Sequence, residues 1–428
     1  MTKHHTMNRI TPSRRRGIRR PWLGVLLAVY GLLLADARSE DQHAAAVTDA
    51  ASKVLTVDSS AFAFSPGNWV GDDGRGGKLY RQTWNPGAYV RITWTTEKAK
   101  VSPVLLLDTS MYPADTGRPV LAANLDGVWT SNLPCDKQVS IPGLSGPGQH
   151  ELTVYLKKSV QDNRWGTPGV SATNVLRITG LKVDADSQPG REPAHTPWVL
   201  IVGDSITEGI GAQELEGYSY LVGQGMRTQG YEYCISACGW SGWIHRGDNP
   251  PGDVPGYYTI TDSADGTGGK YHDADSRWNK IDANHSLLDS RGRLSAYGQV
   301  DQEPSVVLIN YGTNDAIHHK NPSDVKASMA QGLAALRRAA PEAHLFVLIP
   351  FGQYMAGELK QTVNDYRAAH PDDQRVMIID LGAGAARALR DNGYWGGLHP
   401  NPRAHAVFAS QITAQMVARL CQAGAIKP

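Results

Sequence analysis

Four short runs of unbroken apolar residues constrain the second half of the chain. They are Trp198-Val199-Leu200-Ile201-Val202, Val306-Val307-Leu308-Ile309, Leu345-Phe346-Val347-Leu348-Ile349 and Val376-Met377-Ile378-Ile379. A strand with one wet face alternates polar and apolar residues. An unbroken run belongs to a strand covered on both faces. Tyr231-Glu232-Tyr233-Cys234-Ile235 reads as a further, shorter strand. Helical periodicity fills the intervals, over about 217–229, 323–340, 356–370 and 402–421. Ser323 is a candidate cap for the second of these helices, and Asn401 followed by Pro402 suits the start of the last. Strands alternating with helices give parallel βαβ units, hence a three-layer α/β domain over 196–428. In such sheets functional residues gather at the carboxyl ends of strands. Residues 245–304 break the alternation. They are rich in Gly, Asp, Pro and Tyr, and read either as a functional insertion or as a surface excursion that only packs.

The first half follows another grammar. Tyr89–Trp94, Val104–Leu107, His150–Leu156 and Val175–Ile178 are short runs rich in β-branched, leucine and aromatic residues, separated by turns such as Pro142-Gly143 and Gly146-Pro147-Gly148. Many short strands with Gly/Pro turns predict a β-sandwich or jelly roll, here over 54–185. A polar linker with breakers, Asp184 to Thr196, separates the two domains. At the N-terminus, Arg14, Arg15, Arg16, Arg19 and Arg20 precede the apolar run Trp22–Leu34 and the small-residue site Ala35-Asp36-Ala37. That order predicts a signal peptide over 1–37 and a secreted or periplasmic protein. The run is short for a membrane span of about 20 residues, so an uncleaved anchor is the lesser alternative and no stable membrane insertion is expected.

Lys and Arg number 42 against 41 Asp and Glu, so there is no basic excess of the kind a nucleic-acid binder shows. The 14 histidines include no HExxH, and the cysteines no CxxC, so neither a metal nor another cofactor is expected. Cys135, Cys234, Cys238 and Cys421 can pair in three ways or stay buried thiols, and the sequence leaves this open.

Four motifs carry chemistry. Gly203-Asp204-Ser205 ends the first α/β strand, where a serine at a strand-to-helix turn is exposed and backed by peptide N–H groups. Cys238-Gly239-Trp240-Ser241-Gly242 follows the Tyr231–Ile235 strand. Tyr311-Gly312-Thr313-Asn314-Asp315 follows Val306–Ile309, and an Asn amide there can donate to an oxyanion. Leu398-His399-Pro400 precedes the last helix. Each has a bland alternative as a cap, a turn or a packed histidine.

Together, in this order, the motifs resemble the SGNH (GDSL-like) hydrolase family, over about 196–428. The resemblance implies a flavodoxin-like sheet of five parallel strands. It implies Ser205 as nucleophile and His399 as its base, with an oxyanion hole of the Ser205 N–H, the Gly242 N–H and the Asn314 amide. Gly239 is the lesser choice for the second of these donors. His318 and His319 read as a solvated or packed pair.

The chain departs from the family at one position. The acid belongs three residues before His399, where Gly396 stands in Trp395-Gly396-Gly397-Leu398-His399. The triad acid orients the imidazole and stabilises its charged form. A carbonyl of Tyr394–Gly397 can do the first task, giving a Ser–His dyad, with Asp391 and Asp380 as fallback acids. Some carbohydrate esterases of the family, with an N-terminal jelly roll, look like this. The expected partner is therefore an acylated carbohydrate and the expected reaction its O-deacetylation, with Trp240, Trp243, Trp278 and Trp395 as candidates to stack on sugar rings or simply to pack. A lipase or lysophospholipase, a catalytically inactive glycan-binding protein, and an enzyme that transfers the acyl group between sugars are the rival expectations.

Overall fold

The computed structural model describes residues 52–71, 79–97, 102–112, 118–143, 146–159, 175–190, 196–212, 214–245, 277–282, 285–296, 302–383, 394–395 and 397–426. The expected leader 1–37 lies outside them. Residues Ser52–Pro428 form one unit.

Twelve strands come first: β1 Ser52–Thr56, β2 Phe62–Phe64, β3 Val70–Gly71, β4 Arg81–Thr83, β5 Tyr89–Thr96, β6 Val104–Leu107, β7 Val120–Leu125, β8 Val128–Pro134, β9 Gln138–Ser140, β10 Gly148–Lys158, β11 Leu176–Asp184 and β12 Gln188–Pro189. One antiparallel sheet has the order β3-β4-β11-β6-β9, with β1 also on β11. The other has the order β12-β5-β10-β7-β8, with β2 also on β5. Alternate residues of both sheets point into a single core: Val90, Ile92 and Trp94 from β5 meet Leu105 and Leu107 from β6 and Ile178 from β11. The sandwich runs slightly beyond the sequence boundaries, since β1 starts at Ser52 and β12, inside the expected linker, pairs Gln188 with Thr95. The β7–β8 hairpin escaped the sequence reading. Its turn, Asp126-Gly127, has positive φ at both positions (51° and 89°), the geometry that an Asp-Gly pair between strands favours.

The α/β part contains five parallel strands: β13 Trp198–Gly203, β14 Glu232–Ala237, β15 Val306–Asn310, β16 His344–Leu348 and β17 Val376–Ile379. Their order is β14-β13-β15-β16-β17. This is the flavodoxin-like order, with its switch point between β13 and β15. The helices are α1 Ser205–Glu208, α2 Tyr218–Arg227, α3 Thr313–Ile317, α4 Pro322–Ala339, α5 Ala356–Ala369 and α6 Pro402–Gln422. The unbroken apolar runs have the expected cause. Val199 and Ile201 pack with residues of α2 and α6, whereas Leu200 and Val202 pack with residues of α4 and α5. Each such side chain contributes about 1.5–3 kcal/mol on burial. Asn401 caps α6 by accepting the Ala404 N–H at 3.0 Å, ahead of Pro402 at the first turn. The cap of α4 is not Ser323 but Asn321, which accepts the Ser323 N–H at 3.0 Å, because Pro322 takes the first helical position.

The 245–304 insertion is part of the core where it is described. Trp278, Ile281, Leu287 and Leu294 are fully buried in it. The sandwich also covers the open edge of β14. There the Asn68 side chain behaves like a strand peptide: its Nδ2 donates to the Ile235 carbonyl at 2.8 Å and its Oδ1 accepts the Ile235 N–H at 3.3 Å. Glu232 on the same strand pairs with Arg91 at 2.7 Å and accepts from the Tyr89 hydroxyl.

Candidate active site

Ser205 opens α1 directly after β13. The turn is built by its neighbour Asp204, whose Oδ1 accepts the Ile206 N–H at 2.9 Å. Ser205 Oγ lies 2.9 Å from His399 Nε2. His399 comes from a two-stranded ribbon, β18 Tyr394–Trp395 and β19 His399–Pro400, in which it faces Trp395 in register. The ribbon ends at the Asn401 cap of α6, so the last helix anchors the histidine. Burial holds the His399 pKa below the ordinary imidazole value. The shift favours the uncharged form of the ring, the form that can accept a proton.

Asn314 lies in the first turn of α3, after β15. Its amide is buried, donates to the Ser241 carbonyl at 3.0 Å and lies 3.3 Å from Asp204 Oδ2. Asp204 thus spans both motifs. Burial pushes its carboxyl up to about 7, against the lowering effect of the Ile206 N–H bond. The Gly242 N–H differs from the sequence expectation: it donates to the His245 carbonyl at 3.0 Å. The Gly239 N–H, the lesser choice, donates to Glu208 Oε1 at 2.9 Å.

What position 242 provides in this geometry is space. A Cβ there would meet both Asp315 carboxylate oxygens at 2.5–2.6 Å. Asp315 is fully buried and accepts the N–H groups of Trp243, Ile244 and His245 at 2.7, 3.0 and 2.9 Å. It therefore shapes the whole 242–245 loop. Burial raises its pKa, and the three peptide N–H bonds oppose the rise.

Asp204, Glu208, Asp315 and His405 were not singled out as site residues from sequence. His405 accepts the Tyr218 N–H at Nδ1, 2.9 Å, and its Nε2 lies 3.4 Å from the Ile210 carbonyl. Burial pushes it down to about 4, so it is a neutral post that fixes the loop after α1. The only local signals for the acids were the G-D-S-I-T-E and N-D strings themselves.

Other candidates separate clearly. Asp380 is held by Lys360 at 2.5 Å, Gln353 at 2.9 Å and the Gly382 N–H at 2.8 Å. Asp391 and Gly396 lie outside the described residues. Trp243 and Trp278 are fully buried core side chains, so neither offers a face to a sugar, whereas Trp240 is exposed. The Trp395 side chain is outside the description. His318 packs against Trp240 and stacks on His245. Cys135, Cys234 and Cys238 are buried thiols and Cys421 is partly exposed, with no disulfide among them. Among the described residues no cluster of His, Cys, Asp and Glu could hold a metal ion, and no helix is long and apolar enough to cross a membrane.

Residues 199–412, 214 of the chain's 428, match the GDSL-like Lipase/Acylhydrolase family. The chain belongs to that family. Its solved structural neighbours share both halves of the fold at low identity. A family two carbohydrate esterase from Clostridium thermocellum, solved with cellohexaose, is 16% identical at a TM-score of 0.56, over 84% of this chain and 99% of its own. An acetyl xylan esterase from the rumen bacterium Butyrivibrio proteoclasticus is 14% identical at 0.58, over 86% and 98%. A salicylyl-acyltransferase from a tetracycline biosynthetic pathway is 12% identical at 0.54, over 86% and 97%. No curated protein matches the sequence. The GDSL-like domain thus follows an antiparallel β domain, the arrangement of the two-domain carbohydrate esterases.

Proposed function

We propose that this protein is a serine esterase that removes O-acetyl groups from a polysaccharide or oligosaccharide. The observation that carries the reading is the 2.9 Å approach of Ser205 Oγ to His399 Nε2 at the carboxyl edge of the sheet, beside the buried Asn314 amide. His399 takes the proton from Ser205 as Oγ attacks the ester carbonyl carbon. The negative oxygen of the tetrahedral intermediate is held by the Ser205 N–H in the first turn of α1 and by the Asn314 amide, which turns one N–H away from its longer bond to Asp204 Oδ2. Gly242 adds a third donor when its bond to the His245 carbonyl opens. Collapse expels the sugar hydroxyl, protonated by His399, and leaves an acetyl-serine. Water, deprotonated by His399, then attacks that ester and frees acetate and Ser205.

With Gly396 in place of the acid, a carbonyl of the Tyr394–Gly397 segment orients the imidazole, and the machinery is a dyad. A large kinetic loss in Asp391→Asn, with the fold intact, would restore a triad. Export by the 1–37 leader suits a polymer that cannot enter a cell.

A panel of acetyl to long-chain esters, with acetylated xylan, tests the assignment on wild type and Ser205→Ala. Acetate release that falls on the order of 10⁴-fold in Ser205→Ala supports it. Preference for long acyl chains redirects it to a lipase, and unchanged turnover without Ser205 removes it. Transfer to a second hydroxyl passes through the same acyl-serine, and an acyltransferase shares the fold. Acetyl groups found on an added sugar acceptor rather than as acetate would favour that second reading.

A further inference from the structure

The loop after β14, residues 238–245, is fastened in two halves. The first half is held by residues that flank the nucleophile and carry the oxyanion amide. The Cys238 N–H and the Ser241 hydroxyl donate to the Gly203 carbonyl at 3.0 and 3.4 Å. The Gly239 N–H donates to Glu208 of α1, and the Ser241 carbonyl accepts from Asn314. The second half is held from behind. Asp315 accepts the peptide N–H groups of 243–245, and the Ser328 hydroxyl of α4 donates to the Trp243 carbonyl at 2.8 Å. Gly242 stands between the halves, and its N–H is taken by the loop itself, through the His245 carbonyl at 3.0 Å.

His245 joins the halves a second time. Its Nδ1 lies 2.6 Å from the Trp240 carbonyl, and a carbonyl only accepts, so this nitrogen carries the proton. The bond closes over a backbone with φ 62° at Trp240, a region that bulky residues rarely enter and that persists only where the surroundings impose it. The His245 ring in turn lies on that of His318, the residue after α3, with centroids 4.0 Å apart and planes at 17°. His318 also meets the Trp240 ring, at 5.2 Å. His245 thus occupies the Gly242 N–H with its carbonyl, pins a strained peptide with its side chain and is itself braced from the end of α3. The closed loop keeps the Gly242 donor matched while no ester is bound. The donor must therefore exchange one oxygen for another before it can act.

We propose that His245 is a positioning residue that latches this loop shut, with His318 as its brace, and that an ester opens the latch as its developing oxyanion draws the Gly242 N–H off the His245 carbonyl. Opening breaks contacts of the closed loop, so a variant lacking them opens more readily and turns over faster. The proposal deepens the esterase reading and rests on it for the oxyanion that competes for this N–H.

The test takes two readouts from the full chain. One is steady-state hydrolysis of 4-nitrophenyl acetate. The other is amide hydrogen–deuterium exchange of the 238–245 segment in the resting protein. His245→Ala and His318→Ala each speed exchange of the segment. Each also raises kcat about fivefold, the factor that one net hydrogen bond is worth, and holds KM within about twofold. His318→Phe restores a ring against His245 and returns both readouts towards the wild type. The double variant is no faster than His245→Ala, because the two side chains act as one unit. A kcat that falls or stays level in both alanine variants overturns the proposal, since a contact that merely supports the site slows turnover when it is lost. Gains that add in the double variant overturn it too, as does exchange that the alanine variants leave unchanged. The two readings fail separately. If no ester is turned over in a Ser205-dependent way, the esterase falls, and the latch stands or falls on exchange alone. Ser205-dependent hydrolysis indifferent to His245 and His318 keeps the esterase and removes the latch.

Discussion

A Cβ at Gly211 would meet the Pro400 carbonyl oxygen at 2.2 Å and the His399 Cβ at 3.0 Å, and its φ of 96° is itself unfavourable for any other residue. The loop after α1 therefore comes close enough to set the depth of the histidine. Gly211→Ala should push β19 away and lower kcat on the order of 10²-fold, because a shift of about 1 Å in a base is that costly. Turnover of 4-nitrophenyl acetate, with circular dichroism to check the fold, reads this directly. Asp204 bears on stability as well as on the site. Its folded pKa, about 7, lies above the unfolded carboxylate value. The folded state then binds the proton more tightly, so this group's contribution to stability is present at low pH and is lost as pH rises from about 4 to 7. Asp204→Asn keeps an acceptor for the Ile206 N–H and removes the titration. Its melting temperature should vary less with pH across that window than that of the wild type. A parallel curve would show that Asp204 does not titrate there.

At the scale of elements, the loop after β14 depends on one carboxylate from α3. Asp315→Asn keeps the volume but offers one acceptor oxygen to three peptide N–H groups. An unmatched buried donor costs about 1–3 kcal/mol, so the unfolding free energy read from a denaturant titration should fall by that amount and the midpoint should drop with it. No change would mean that the 243–245 peptides find other partners. Elements like β13 and β15 were legible because burial on two faces writes itself as an unbroken apolar run, and α6 because Asn401-Pro402 is a cap and a first turn together. The positions of Ser205, Asn314 and His399 at the ends of such elements were readable for the same reason. Glu208 and Asp315 were not, because their partners are peptide N–H groups, which every residue has and no side-chain pattern records. The engagement of the Gly242 N–H by the His245 carbonyl was hidden in the same way.

Across the whole molecule, the two halves meet through contacts that no local pattern announces. Asn68 is 167 residues from Ile235, yet it completes the edge of β14 with two hydrogen bonds. Asn68→Leu should leave the Ile235 N–H and carbonyl unpaired. We expect a loss of about 1–3 kcal/mol for each group left so, read from equilibrium unfolding of the full chain. If stability holds, the sandwich does not depend on that clasp. The clasp also gives chain order a temporal meaning. Synthesis runs from the N-terminus, and domains fold in that order. The sandwich, with a core of its own, leaves the ribosome before β14 exists. When β14 emerges, the one rim at which it could register with a neighbouring nascent chain already has a waiting partner, so the earlier half acts as a resident chaperone for the later one.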